Sequence, residues 1–209
     1  MMQDNKIKPI LFSTDMVRAI REGRKTVTRR DPFQTPPDYD VLKGHYRDSR
    51  DRLCAVFQCR KDPTTEAVYA RYDRGDTLWV RETWGMASDL LGGVPGPVYC
   101  ADYTDDELRA LREKHYHWRP SIHMPKEAAR LFLRVTGVRV GRLSDMVLGD
   151  ILLEGVQEAD SFEETWSRWH QIWNSTIKPA DRAIYGWEAH PWVWIVQFER
   201  CWRPEGWPK

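Results

Sequence analysis

The 209-residue chain has a formal net charge of +1, and 30% of its residues are charged. This near balance excludes a bulk polycation, so any contact with nucleic acid must come from a local basic patch. The cysteines are few for a disulfide-stapled secreted protein, the first residues lack the apolar core of a signal peptide, and no apolar run is long enough to span a membrane. We therefore expect a cytoplasmic protein with no membrane partner.

The first predicted elements are a short strand, residues 7–12, and an amphipathic helix that follows it. Ser13 or Thr14 can cap this helix, whose apolar face begins at Met16. Gly23 stands where a glycine commonly ends a helix, in the left-handed conformation. The chain is therefore expected to leave the helix and turn into an extended segment.

That extended segment belongs to a basic stretch, residues 18–30, which contains six basic residues and one acid, Glu22. Its second half reads GRKTVTRR, so two hydroxyls, Thr26 and Thr28, lie among the cations. Such a cluster attracts anions, and phosphate-bearing partners are the obvious class. A solvated basic turn without function is the alternative interpretation.

Two stretches predict insertions into a single domain, at about residues 31–72 and 87–117. Residues 31–52 are rich in Pro, Asp, Arg and Tyr and poor in aliphatic side chains, which predicts a mobile segment, either a long loop or a surface insertion. Only residues 67–69 indicate a weak strand within the first insertion.

Three alternating stretches predict strands later in the chain. They are residues 77–81, which residues 82–84 extend, residues 131–140, and residues 192–199. The last is apolar on both faces in its first half, which favours a central strand. With the helices, this layout indicates an α+β fold, a small mixed β-barrel with short helices outside it.

Three later stretches predict helices. Residues 104–115 form a short charged helix, and residues 150–154 form a second. The strongest pattern is at residues 161–173, where a serine and a glutamate three positions later match a capping box and tryptophans recur at helical spacing. We expect these tryptophans to pack in the core. They are Trp166, Trp169 and Trp173.

The order of these motifs resembles the ASCH domain. The matching motifs are GRKTVTRR, GDTLWV, LSDMVLGDILLEGV and the terminal WVWIVQF. The ASCH domain is a β-barrel of the PUA-like class, associated with RNA and modified nucleosides, and the longer layout here is similar to its phage- and prophage-encoded branch. The resemblance covers nearly the whole chain outside the two insertions, so it implies one domain over residues 1–209.

The resemblance also implies a chemistry. One small bacterial ASCH enzyme type hydrolyses N4-acetylcytidine to cytidine and acetate, using a lysine, a threonine and a glutamate. These residues correspond to Lys25, Thr28 and Glu154. The resemblance therefore implies an amidohydrolase for an N4-acylated cytosine nucleoside or nucleotide, with no cofactor.

Amide hydrolysis needs a nucleophile, a base that activates it, and a group that stabilises the oxyanion. In one scheme, neutral Lys25 takes the proton of Thr28, while Glu154 orients the lysine or carries a proton to the leaving amine. In the other, Glu154 activates a water, Lys25 stabilises the oxyanion and Thr28 positions the substrate. The residue types leave both schemes open.

A second set of side chains is predicted to bind the substrate. The set is Arg24, Thr26, Arg29, Trp79, Arg81, Glu82, Trp84, Trp118 and Ser121. The tryptophans would stack on the base, an interaction of about 1–3 kcal/mol. The polar side chains after Trp79 and Trp118 would hydrogen-bond the edge of the base. For each tryptophan, packing in the core is the alternative role.

Three other interpretations compete with the enzyme. The chain is alternatively a non-catalytic module that binds RNA or single-stranded nucleic acid through its basic turn and tryptophans, or a phage accessory protein that binds a host protein through its insertions. Cys54 and Cys59, together with His115, His117 and His123, include the ligand types of a zinc site. Their four-residue separation differs from the two-residue gap of a zinc knuckle, so we expect no metal.

Overall fold

The computed structural model describes residues 6–32, 39–89 and 95–208. Within these residues the strands are β1 (Ile7–Leu11), β2 (Val27–Pro32), β3 (Tyr39–Arg47), β4 (Leu53–Cys59), β5 (Thr65–Tyr69), β6 (Thr77–Arg81), β7 (Trp84–Met86), β8 (Pro97–Tyr99), β9 (Phe132–Arg142) and β10 (Trp192–Cys201). The α-helices are α1 (Thr14–Arg21), α2 (Asp105–Glu113), α3 (Leu148–Leu153), α4 (Phe162–Thr176) and α5 (Arg182–Tyr185). The predicted α+β class is therefore confirmed.

The predicted closed barrel is absent from the described part of the chain. The main sheet has the order β1-β6-β9-β10-β2, which leaves β1 and β2 as its edges. The sheet is mixed, because β1 runs parallel to β6 whereas β2 runs antiparallel to β10. A barrel closes only when its first and last strands pair. Side chains occupy the outer edge of β2 instead, as described below.

None of the helices in the described ranges combines the length and the apolar composition that a membrane crossing requires.

The chain divides into two compact units. The first takes the described residues within 1–24, 75–134 and 199–209, and the second takes those within 25–74 and 135–198. The sequence predicted one domain with two insertions, which stays a prediction. Residues 33–38 and 90–94 of those insertions lie outside the described residues.

The first unit builds its core from aromatic residues. Trp79 and Trp84 are buried together with Tyr99 and Phe132. Trp79 of β6 and Phe132 of β9 are direct cross-strand partners, so their rings lie on the same face of the sheet. Predicted strand residues 77–81 are confirmed, whereas Trp84 starts a separate strand, β7, rather than extending β6.

Helix α1 follows its predicted start and stop signals. The Ser13 hydroxyl accepts the Met16 N–H at 3.4 Å, and Val17 and Ile20 are buried on the apolar face. Gly23 has φ +79°, in the left-handed region that favours glycine.

We expect Gly23→Ala to destabilise the fold by about 1–2 kcal/mol, the strain of an L residue in the left-handed region. An added Cβ would meet no atom within 4 Å, so backbone strain is the only cost. Gly149→Ala is the matched control, since Gly149 is exposed in α3 and its Cβ would also meet nothing. There, alanine should stabilise the helix by about 0.5–1 kcal/mol. Urea denaturation of both variants measures the change in the free energy of unfolding. A change of the same sign in both variants would contradict the left-handed strain at Gly23.

The second unit builds its main core on helix α4. Trp169 and Trp173 are buried against Ile151 and Ile195, and Trp166 packs against the same cluster. The predicted packing of the tryptophan stripe is thus confirmed. Half of the predicted capping box is present, since the Ser161 hydroxyl accepts the Glu164 backbone N–H at 3.1 Å, whereas the Glu164 side chain accepts a bond from Arg168.

The prediction of a long loop over residues 31–52 is wrong for its described part. Strands β3, β4 and β5 form a three-stranded antiparallel sheet in the second unit. Ala55 and Phe57 on β4 are buried against Trp194. The low aliphatic content of β3 misled the prediction, because a strand with polar residues is stabilised by its pairing and by cross-strand contacts with an apolar neighbour.

In the second insertion, the charged helix is confirmed as α2. Thr104 and Glu107 form a reciprocal capping box at its start, and Leu108 is its buried residue.

Candidate active site

The turn after Gly23 places Lys25 beside the end of helix α3. Thr26 fixes this turn through its backbone: its N–H donates to the Leu153 carbonyl at 3.0 Å, and its carbonyl accepts the Phe198 N–H at 2.9 Å. These two bonds join the start of β2 to α3 on one side and to β10 on the other. The lysine is therefore held on a rigid part of the second unit.

Glu154 is the residue that ends α3. Its backbone N–H donates to the carbonyls of Asp150 and Ile151, and its own φ and ψ are near helical. Gly155 follows with φ +88° and turns the chain away. A helix is therefore confirmed here, at Leu148–Leu153 instead of the predicted residues 150–154, as is its stop at Gly155, and the glutamate side chain leaves from the C-cap position.

Lys25 and Glu154 form a buried ion pair. Lys25 Nζ lies 2.6 Å from Glu154 Oε2, and the two residues are 3% and 2% exposed. Lys25 Nζ also donates to the carbonyl oxygens of Val27 and Glu154, each at 2.8 Å. An ammonium has three N–H donors, so these three acceptors match the charged form of the lysine.

The second carboxylate oxygen of Glu154 accepts hydrogen bonds from Arg29. Glu154 Oε1 accepts the Arg29 backbone N–H at 2.7 Å and lies 3.2 Å from Arg29 Nη1. Arg29 Nη2 lies 3.3 Å from Asp150 Oδ1. Two cations and two carboxylates thus alternate in one network. Such a balance is needed, because an unpaired charge is costly to bury.

This network covers the outer edge of strand β2. Thr28 pairs with Val196 on β10, so the backbone groups of Val27 and Arg29 point the other way, to the edge without a neighbouring strand. Lys25 takes the Val27 carbonyl there, and Glu154 takes the Arg29 N–H. The ion pair therefore bonds the backbone groups that a neighbouring strand would otherwise bond, and it covers this edge of the sheet.

Burial lowers the pKa of Lys25 below its ordinary value of 10.5. The charge of Glu154 and its hydrogen bond act in the opposite direction, while the positive charges of Arg30 and Arg29 reinforce the lowering. The lysine is therefore easier to deprotonate than a surface lysine.

A pH dependence of stability follows from this lowered pKa. Between the folded-state pKa of Lys25 and 10.5, the unfolded chain holds a proton that the folded chain has released. Stability should therefore rise with pH through that window, by about 1.4 kcal/mol per pH unit for this single group. Urea denaturation of the wild type and Lys25→Met at several alkaline pH values isolates the effect. A difference between them that stays flat or falls with pH would contradict the lowered pKa.

Thr28 is buried but is not joined to the ion pair. It is 4% exposed, and alternation along β2 turns its side chain to the face opposite Val27 and Arg29. Among the described residues, the Thr28 hydroxyl makes no hydrogen bond to Lys25 or Glu154. Two of the three predicted chemical groups are thus in direct contact, and the role of the threonine stays a prediction.

The remaining predicted residues of the turn have local partners. Arg24 pairs with Glu22 through its Nε at 2.8 Å. Thr26 contributes the backbone links described above, and Arg29 is part of the buried network.

The other predicted substrate-binding residues belong to the first unit. Trp79 and Trp84 are 4% and 6% exposed, which matches a packing role. The Arg81 guanidinium lies 5.4 Å from the Trp79 ring centroid and donates to the Ile122 carbonyl. Stacking of these tryptophans on a base stays a prediction.

Three further predicted residues also contact protein groups. Glu82 is 1% exposed and accepts two bonds from Arg130, at 2.9 and 3.0 Å. Trp118 is half-buried and packs its ring edge-on against Tyr103 and Tyr116. Ser121 is half-buried at the start of a 3-10 turn.

Sequence reasoning missed Asp150, the second carboxylate of the buried network. The signal was its separation from Glu154: residues four apart lie on the same side of a helix, so both carboxylates can reach one cation. It also missed the role of the Val27 carbonyl, which no side-chain pattern encodes.

No three described His, Cys, Asp or Glu residues are grouped so that they could hold a metal ion. Cys54 and Cys59 lie on strand β4 of the second unit, with their thiols free. Comparison of the chain with protein-family models, curated proteins and solved structures finds no match.

Proposed function

We propose that this chain binds and hydrolyses an N4-acylated cytosine nucleoside or nucleotide, as an ASCH domain of the PUA-like class. The observation that supports the proposal is the buried Lys25–Glu154 pair, with 2.6 Å between Nζ and Oε2. An acid–base pair of this kind holds a proton that is ready to move, because burial favours its neutral form and hydrogen bonding favours its charged form. The residue types agree with the resemblance of GRKTVTRR and ILLEG to the amidohydrolases.

Of the two schemes, the geometry favours the one in which Glu154 activates a water. Lys25 already donates to three oxygens, so it has no lone pair to offer to a hydroxyl proton. The Glu154 carboxylate accepts bonds on both oxygens and still has an unused lone-pair position for a water. Lys25 then stabilises the oxyanion by exchanging one of its carbonyl partners for the substrate oxygen.

The proposed reaction consumes one water for each acyl group removed. The oxygen of the water adds to the acyl carbon while Glu154 takes its proton. The bond between the acyl carbon and N4 then breaks, and the proton passes from Glu154 to the leaving amine. The products are cytidine and acetate for an acetyl substrate. Because both side chains are almost inaccessible to solvent, the substrate reaches them by a local opening around the pair.

The proposed setting is the cytoplasm. Cys54, Cys59, Cys100 and Cys201 are all free thiols, as expected in a reducing compartment.

The experiment that tests the proposal measures cytidine release from a panel of acylated cytidines by chromatography. Thr28→Val separates the role of the hydroxyl from that of packing. It removes the hydroxyl, which makes no bond to the ion pair, and keeps the shape and β propensity of the side chain. If Thr28 positions the substrate, turnover should fall about tenfold, the value of one hydrogen bond, with stability unchanged. Thr28→Ser should keep most of the activity.

Two outcomes would count against this role. Equal turnover of wild type and Thr28→Val would remove the threonine from the mechanism. Salt-dependent binding of short RNA by the wild type, without turnover of any acylated cytidine, would favour the non-catalytic nucleic-acid module instead.

A further inference from the structure

A cleft of about 700 Å³ opens in the first unit, and charged side chains line it. The lining residues are Arg18, Arg21, Glu22, Ala101, Asp102 and Arg200. No aromatic or large aliphatic side chain is among them, so the cleft offers little to an apolar ligand. We propose that this cleft binds the phosphate group of a small phosphorylated ligand.

Three arginines converge on the cleft from two elements. Arg18 and Arg21 are three residues apart on α1, so they lie on one side of the helix. Arg200 stands near the end of β10, and its Nη1 donates to the Arg21 carbonyl at 3.1 Å. That bond holds the Arg200 side chain across the end of the helix.

The carboxylates of the cleft are already neutralised by cations. Asp102 accepts Arg21 on one oxygen and Arg130, at 2.6 Å, on the other. Burial acts to raise the pKa of Asp102, but the hydrogen bonds and charges of these two arginines outweigh it and lower the pKa. Glu22 accepts the Nε of Arg24 at 2.8 Å. Asp102 therefore fixes Arg21 in place, and because both carboxylates of the cleft are paired with cations, neither repels an anion strongly.

Several guanidinium donors of the cleft remain open to a ligand. Within the described residues, Arg200 forms no ion pair, and its one hydrogen bond uses only Nη1. Arg21 uses only Nη1, in its bond to Asp102. Since each guanidinium carries five N–H donors, Nε and Nη2 of both arginines are available as forks.

Phosphate is the anion that such forks fit best. The planar guanidinium binds two oxygens of a phosphate or carboxylate at once, whereas a lysine binds as a point charge. Two available forks match a dianionic phosphate better than a singly charged carboxylate. Arg18 adds less, because its guanidinium already pairs with Asp15 and Asp105 and donates to the Tyr103 carbonyl. The volume exceeds that of free phosphate, so the phosphate belongs to a larger polar molecule.

This inference is independent of the proposed hydrolase. The cleft uses residues of the first unit only, and none of Lys25, Thr28 or Glu154 lines it. Loss of one activity would leave the other measurable.

Titration of the full chain with pyrophosphate, followed by two-dimensional amide NMR at constant ionic strength, tests the proposal. We expect saturable shifts at α1 and at the end of β10. The dissociation constant should rise about tenfold in Arg200→Gln, the cost of losing a charge-assisted fork. It should rise less in Arg200→Lys, which keeps the charge but not the fork. The matched control, Arg112→Gln, removes an exposed arginine from helix α2 of the same unit and should leave the constant within twofold.

Three results would overturn the phosphate site. They are the absence of saturable shifts in the wild type, an equal loss of affinity in Arg112→Gln, and equal binding of acetate and pyrophosphate. The amide spectrum itself reports whether each variant remains folded.

Discussion

Glu154→Gln is expected to reduce the free energy of unfolding by about 3–5 kcal/mol, the range found when one partner of a buried ion pair is removed. The substitution keeps the shape of the side chain but deletes the charge between Lys25 and Arg29, which are 3% and 5% exposed. Asp150, whose side chain is 24% exposed, pairs with the arginine, and its other oxygen accepts the Val147 backbone N–H at 3.2 Å, so it does not replace the charge beside Lys25. Urea denaturation with a linear extrapolation measures the loss.

Two variants serve as controls for this prediction. Glu158→Gln changes an exposed glutamate near the same helix and should alter stability by less than about 0.5 kcal/mol. Lys25→Met should cost less than Glu154→Gln, about 1–3 kcal/mol, because Glu154 keeps Arg29 as a partner while two carbonyls lose their donor. A Lys25→Met variant less stable than Glu154→Gln would contradict the arrangement of charges described here.

The second large effect concerns turnover. If the proposed hydrolase is correct, Lys25→Met should lower the rate of cytidine release at least about 100-fold, the low end of the cost of removing one donor that stabilises an oxyanion. The reason is that methionine fills the same space but can neither donate to an oxyanion nor share a proton with Glu154. Chromatography of the products under single-turnover conditions measures the chemical step.

The control for turnover is Lys178→Met, which removes an exposed lysine of the second unit. Its rate should equal that of the wild type. Lys25→Met must be assayed at a temperature below its own unfolding transition, so that a lower rate reports the chemical step and not loss of folded protein. An unchanged rate in folded Lys25→Met would leave the ion pair with its structural role alone, the protection of the β2 edge.

Local signals predicted much of the fold. Ser13 and Gly23 marked the ends of α1, and the tryptophans of α4 recur at 3.6-residue spacing, because caps and periodicity are properties of short segments. Strand β3 was missed since its stability comes from pairing with β4, a contact between segments. The open sheet was missed for a related reason: barrel closure depends on which strands meet, and the composition of a strand does not encode its partner.

The candidate site was predicted in part. The residue types of Lys25 and Glu154 came from the resemblance of their motifs, and the structure brings them to 2.6 Å. Their shared task at the β2 edge, with Arg29, required the path of the backbone. Thr28 illustrates the limit, because its spacing from Lys25 matched the resemblance although alternation turns its side chain to the other face of β2.

The pair therefore combines a structural and a proposed chemical role. Functional groups held in a buried, charged network commonly reduce stability relative to an apolar alternative, and this cost is tolerated where the chemistry requires them. Replacing both residues, as Lys25→Met with Glu154→Leu, should recover part of the stability lost in Glu154→Gln, since Lys25 no longer leaves a buried charge without its carboxylate, although Arg29 still loses Glu154.

The most direct measurement is the incubation of the purified wild-type chain with excess N4-acetylcytidine, with chromatographic detection of both products. We expect cytidine and acetate in equal amounts, in quantities far above that of the protein, and loss of this release in Lys25→Met. Folded wild-type protein that releases neither product from N4-acetylcytidine or any other acylated cytidine would contradict the proposed hydrolase.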